Sequence, residues 1–428
     1  MNRPLPQCLS EAAATATSGL LGLVAAALAA GCGPERSAFN GALEAADYWS
    51  DTPSILSAGL GFDGILGVPE LTEDAVRAAG GSWYGGLTCA SGDDPPDSAR
   101  TSAATASGLK RTFRGTAELG DGLPVVFSWP VATDTVHPED FLVTLNSGET
   151  VVPTAAGMFP NWELNERNTI VLIGDFGNRG LPGEAGMRFS VRVEVKDDGT
   201  PLTLVGPGGE EVSAVGLSWE TDSTPYVSGP ALVGAKLTRI DGEPQGEGMP
   251  GDGWASFMLP NDERALYDEG DFRLRMLTTG GFSPDGVTGV KPDQFQDFFR
   301  IHATGTDGGT VLIEEVGVDY AVSGGTLRVV GLSDLGLKAD PERGVNYDDC
   351  YVEDRDNYID VILVGDEAAA RSITFLEIPA VEEGYRPFYN PGGPGPEPFE
   401  GVRYTAPGPR DLEPVILALD DAMRVDRD

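Results

Sequence analysis

Between Asp348 and Asp360 the chain reads DDCYVEDRDNYID, in which Asp348, Asp349, Glu353, Asp354, Asp356 and Asp360 surround one cysteine, Cys350, and one basic residue, Arg355. Carboxylates at this density suit a hard cation: calcium takes about six to eight oxygen ligands, whereas zinc and copper prefer nitrogen and sulfur. Asp354, Asp356 and Asp360 follow a D-x-D-x-x-x-D spacing, yet no glycine marks a bend and no glutamate stands where an EF-hand needs its bidentate ligand. These six acids are candidates for a structural calcium site. The competing reading is a solvated acidic loop, because blocks of like charge hydrate and repel.

Other chemistry-bearing residues are sparse. The two histidines, His137 in VHPED and His302 in FFRIHATG, have no partner in the sequence that makes either a general base, and both read as structural. There is no G-x-S-x-G elbow, no H-E-x-x-H and no Walker loop. GLGFDG (Gly59–Gly64) matches the dinucleotide fingerprint letter by letter, but Pro69 follows where a helix must begin to hold pyrophosphate, so the match reads as coincidence. A glycosidase needs only two suitably spaced carboxylates. A carboxylate-dependent extracellular glycoside hydrolase is therefore an open alternative with no residue pair to name. Tyr385, Phe388 and Tyr389 in YRPFYNPGG offer three rings for stacking on a sugar, a carbohydrate-binding alternative that competes with packing of the same rings in a core.

Composition narrows the partners. With 29 Lys+Arg against 67 Asp+Glu the formal net charge is -38, so phosphate backbones are repelled and nucleic acid is not an expected partner. A length of 428 residues implies two or three domains, and 58 glycines with 32 prolines fit many turns joining short strands.

The elements that must carry these residues start after a targeting segment. Arg3 precedes GLLGLVAAALAA (Gly19–Ala30), an apolar run too short to span a bilayer and of the right length for a signal peptide. LAAGC follows, and resembles the lipobox of bacterial lipoproteins, with Ala29 where that family usually has Leu. The resemblance implies removal of residues 1–31, a lipid on Cys32 that ties the protein to the membrane, and, with Gly33 rather than Asp next, an outer-membrane or cell-surface location. Cleavage near Ala29 and free secretion is the other reading. Outside the cytoplasm Cys89 and Cys350, the two cysteines of the mature body, are expected to pair.

Beyond Glu118 the chain turns to short runs of period-two alternation, such as RFSVRVEV (Arg188–Val195). It also repeats itself: VHPEDF (Val136–Phe141) recurs as VKPDQF (Val290–Phe295), NTIVLIG (Asn168–Gly174) as GTLRVVG (Gly325–Gly331), and FSVRVEV (Phe189–Val195) as YIDVILV (Tyr358–Val364). The stretch PVVFSWPVATDTVHPEDFLVTLNSGETVVPTAAG (Pro124–Gly157) resembles the bacterial Ig-like domains of surface-layer and other exported proteins, in its FS-x-P-V strand, D-x-V turn and D-F strand. The resemblance implies a binding or spacer module with no catalytic residues. The expected protein is all-β: a signal peptide at 1–31, a flexible stalk with short helices at 32–117, Ig-like sandwiches at 118–262 and 263–384, the second carrying the acidic Cys-containing insertion, and a C-terminal arm at 385–428. Its expected role is structural or binding and not catalytic, with a polysaccharide or another surface protein as partner and calcium as the one possible ion.

Overall fold

Leu123, Val125 and Phe127 alternate along one strand and Phe141, Val143 and Leu145 along another, and all six side chains meet in one buried core, as period-two geometry demands. In the computed structural model, which describes residues 43, 46–59, 61–89, 92–161, 165–240, 267–335 and 356–425, that core fills the space between two sheets. The strands are β1 (Ile55–Ala58), β2 (Phe62–Val68), β3 (Ala104–Thr105), β4 (Gly120–Phe127), β5 (Phe141–Leu145), β6 (Thr150–Val151), β7 (Ala155–Gly157), β8 (Thr169–Gly174), β9 (Ser190–Val195), β10 (Thr203–Val205), β11 (Glu211–Ser213) and β12 (Ser218–Glu220). One sheet runs β3-β2-β4-β8-β7, with β1 also paired to β4; the other runs β12-β9-β5-β6; β10 and β11 form a separate hairpin.

The described part of the expected stalk is thus built into this first unit. β1 lies antiparallel to the end of β4 and β2 to its beginning, while the helix Ala106–Phe113 packs Leu109 against Leu66, Val171 and Ile173. Close backbone packing also fixes this segment. Gly67 has φ +89°, and a Cβ there would sit 1.9 Å from the Ala117 carbonyl oxygen.

The second unit is a single mixed sheet of β13 (Leu232–Arg239), β14 (Phe272–Thr278), β15 (Arg300–Thr304), β16 (Thr310–Ile313), β17 (Tyr320–Val322), β18 (Gly325–Ser333), β19 (Tyr358–Gly365), β20 (Ile373–Ile378) and β21 (Asp411–Leu417). Their order is β16-β15-β20-β21-β13-β14-β19-β18-β17. The sheet curls into a near-barrel around a core that includes Leu237, Leu274, Met276, Phe298, Val361 and Leu376. Its two ends meet where Ser323 N–H donates to the Thr304 carbonyl at 2.7 Å.

Two expected boundaries move. β13, expected in the first sandwich, pairs antiparallel with β14 and parallel with β21, and so closes the second sheet. The expected C-terminal arm contributes β21 to the interior of that sheet, after which Arg424 returns to bridge Asp47 of the first unit. One pair in the internal repeat also changes partners. In the first unit β5 pairs with β9, and in the second β15 pairs with β20, so the counterpart of FSVRVEV is ITFLEI (Ile373–Ile378), not YIDVILV. β19 is an additional strand between β14 and β18. Alternation alone cannot distinguish two strands of the same period; the neighbour decides.

Candidate functional site

β19 carries Asp360 into the middle of the molecule. Across the sheet Lys236 of β13 stands opposite Arg275 of β14, Arg275 opposite Asp360, and Asp360 opposite Ser333 of β18. Odd and even positions separate cleanly: Leu274, Met276, Ile359 and Val361 enter the second core, while the charged row points the other way, onto the first unit. There Arg275 forks onto Asp360 (Nε to Oδ1 2.8 Å, Nη2 to Oδ2 2.9 Å), onto Asp334 (2.5 Å) and onto Asp47 of the first unit (3.2 Å). Lys236 donates to Asp47 and to the Met423 carbonyl, and Arg424 reaches Asp47 at 3.3 Å. Lys236, Arg275, Asp47, Asp334 and Asp360 are all essentially removed from solvent. Burial alone would push the Asp47 carboxyl up, but Lys236, Arg275 and Arg273 outweigh it and hold the group below its ordinary range. Amides extend the joint: Asn161 donates to Asn357 at 2.7 Å, and Tyr358 to Asn168 at 3.1 Å.

A second ionic cluster lies on the outer side of β15, β20 and β21 and reaches solvent. Glu377 is buried at its base, gripped by Arg300 through two bonds, by Arg410 at 2.8 Å and by the His302 ring. Burial would raise the Glu377 carboxyl, but hydrogen bonds from Arg300, His302 and Arg410 overcome it and bring it to about 2. Arg300 also pairs with Glu383 at 2.8 Å, and Tyr385 donates to Glu314 at 3.0 Å. Arg410, Glu383 and Glu314 stand half-exposed at the rim, beside exposed Leu412 and Val381. His302 has the carboxylate partner of a catalytic dyad. No serine, threonine or cysteine side chain hydrogen-bonds its ring among the described residues. The cluster can present paired charges and an aromatic hydroxyl to a ligand. Because the rim side chains are solvated, Arg410→Ala and Tyr385→Phe are each expected to change stability by no more than about 1 kcal/mol, read from urea melts, which qualifies both as probes of binding.

Of the residues singled out in the acidic run, Asp348, Asp349, Glu353 and Asp354 lie outside the described residues, as do Cys32 and Cys350. Asp356 is buried and caps the start of β19 by accepting from the Tyr358 N–H at 2.8 Å. Asp360 is withdrawn from the calcium set, since both its oxygens are taken by Arg275. Cys89 is held in a disulfide whose partner lies outside the described residues. The aromatic trio forms no shared exposed platform: Phe388 is fully buried with ring centroids 4.5 Å from Phe282 and 4.4 Å from Phe298. Tyr385 and Tyr389 are half-buried on either side of it. Phe388 thus buries its large apolar area in the core of the second unit.

Sequence reasoning missed a third group. Asp63, inside the GLGFDG stretch, hydrogen-bonds Asp121, and the two buried carboxyls share a pocket with Tyr226 and Arg179. Asp121 accepts N–H groups from Gly64, Phe176 and Gly177. Burial, and next the charge of Asp63, push its carboxyl up to about 8. Nothing in the one-dimensional spacing places residues 63 and 121 together. With the fold and these clusters in view, comparison with family models, curated proteins and solved structures finds no match.

Proposed function

We propose that the chain is an exported surface protein, anchored by lipid at Cys32, whose two units are Ig-like modules joined as one body and whose outer face around Glu377 binds another surface protein. The spatial orders β1-β4-β8-β7 and β12-β9-β5-β6 correspond to the A-B-E-D and G-F-C-C′ orders of an immunoglobulin-type sandwich. The same reading of the second unit takes β15, β16, β20 and β21 as its C-C′-F-G face, β13 as a bridge between the two faces and β19 as an addition, and is supported by the strand order β16-β15-β20-β21-β13-β14-β19-β18-β17. The observation that carries the binding role is the half-exposed set Arg410, Glu383, Glu314 and Tyr385 next to exposed Leu412. Arginine and tyrosine beside an apolar side chain is the mixture that anchors protein interfaces. The pairing of Cys89 with Cys350, and calcium on Asp348, Asp349, Glu353 and Asp354, belong to the same proposal as stabilisers outside the cell.

Fractionation tests the anchor. Wild-type protein is expected in the membrane fraction with incorporated fatty acid, and Cys32→Ser is expected in the soluble fraction without it; identical partition of the two sinks the lipid reading. Chemical cross-linking on intact cells tests the face: adducts formed by wild type should disappear in Arg410→Glu, and persistence of the same adducts would assign binding elsewhere.

A further inference from the structure

His137, Asp140 and Asp198 converge on one point. Asp140 closes the turn Pro138–Asp140 by accepting from the His137 N–H at 2.7 Å through Oδ2. Phe141 then pairs with Val195, and Lys196 N–H donates to the Asp140 carbonyl at 2.6 Å, so the loop after β9 is pinned beside the turn. Asp198 sits in that loop with Oδ1 oriented by the Thr200 N–H and hydroxyl, both at 2.7 Å. One ring nitrogen of His137 and one oxygen from each carboxylate lie within 4.8 Å of one another.

Two independent observations go beyond a coincidence of acids. Asp140 is completely buried, and its Oδ1 accepts no hydrogen bond. A buried carboxylate oxygen without a donor is costly unless a cation faces it. The internal repeat supplies the control. In the second unit the same turn places Lys291 where the first has His137 and Gln294 where it has Asp140, and the Lys291 N–H donates to Gln294 Oε1 at 2.8 Å. A neutral amide therefore suffices for the turn. The turn requires neither an imidazole at its first position nor the second, unbonded oxygen of Asp140.

We propose that His137, Asp140 and Asp198 form a binding site for one divalent transition-metal ion. An imidazole nitrogen with two carboxylates suits zinc or a neighbouring first-row ion rather than calcium, which takes oxygen throughout. Three protein ligands leave a position for water or for a group from a partner. The partly exposed His137 and exposed Asp198 leave that side open to solvent. The site is on the first unit.

The test is calorimetric titration of the full chain, stripped with chelator, against zinc chloride and separately against calcium chloride, with melting temperature measured alongside. One zinc per chain is expected to bind and to raise the melting temperature, with binding at least ~tenfold weaker in His137→Ala and in Asp140→Asn. Calcium should leave the His137→Ala and wild-type curves alike. His137 is half-exposed, so its variant tests the site even if Asp140→Asn fails to fold. Absence of a saturable zinc event, or zinc binding unchanged by His137→Ala, overturns the assignment and leaves zinc uptake to scattered surface carboxylates.

Discussion

Arg275→Ala is expected to destabilise the protein by about 3–5 kcal/mol, because it leaves Asp47, Asp334 and Asp360 buried without the guanidinium that serves all three. The cations that remain are Lys236 and Arg424, which contact Asp47, and Arg273, which reaches Asp360 at 3.4 Å. Arg275→Met preserves much of the stem's volume and is expected to be nearly as harmful, which separates lost charge from lost packing. Trp49 reports on the event, since it packs with Val126, Leu277 and Tyr358 in the same joint. Wild type should show one urea transition by Trp fluorescence and by far-UV circular dichroism, because the array couples the two units. The variants should show a lowered midpoint, with the joint signal lost before the β signal. A midpoint shift worth less than about 1 kcal/mol in Arg275→Ala would mean the array contributes little net, as replaceable buried ion pairs can.

The same array shows what the sequence could and could not reveal. FRLRMLT declares a strand with Phe272, Leu274 and Met276 on one face, and that face is indeed core. By the same alternation Arg273 and Arg275 should face water, as polar positions of a two-faced strand do. They do not: both are buried, and Arg275 bonds Asp47 of the first unit. Asp360 was misread for the related reason: in an acidic run, a carboxylate bound for a buried ion pair looks like one bound for solvent or for calcium. Of the three repeat matches, VHPEDF and VKPDQF locate the same turn and NTIVLIG and GTLRVVG locate strands, while the third fails because β19 shares its period with β20. The mostly β character, several strand positions and the turn holding His137 are thus legible in local pattern. Neighbour identity, the incorporation of residues 46–117, and every cluster built from distant residues depend on pairing, which has no one-dimensional signature.

Asp63 and Asp121 give the protein a stability that falls as pH rises. In the unfolded chain both carboxyls ionise near the ordinary value of about 4. In the folded chain burial raises both, and Asp121 reaches about 8. The folded state therefore holds more protons than the unfolded state between about pH 4 and 8. Stability from the pair is fully present below about pH 4 and is lost as pH climbs through about 8, by up to ~1 kcal/mol per pH unit. The large acidic excess pushes the same way, since repulsion among surface carboxylates also grows with pH, so the slope of the wild type alone does not identify the pair. Asp63→Asn does: the asparagine amide can donate to Asp121 in place of the shared proton, while its oxygen still accepts from the Arg179 N–H that Asp63 binds at 2.8 Å. Urea melts from pH 5 to 8.5 are expected to decline less steeply in Asp63→Asn than in wild type, with the curves converging or crossing at the alkaline end. Parallel curves across that range would mean that the two carboxyls carry no shared proton and that the slope comes from surface repulsion and from other raised carboxyls, such as Glu413, which burial pushes up to about 7.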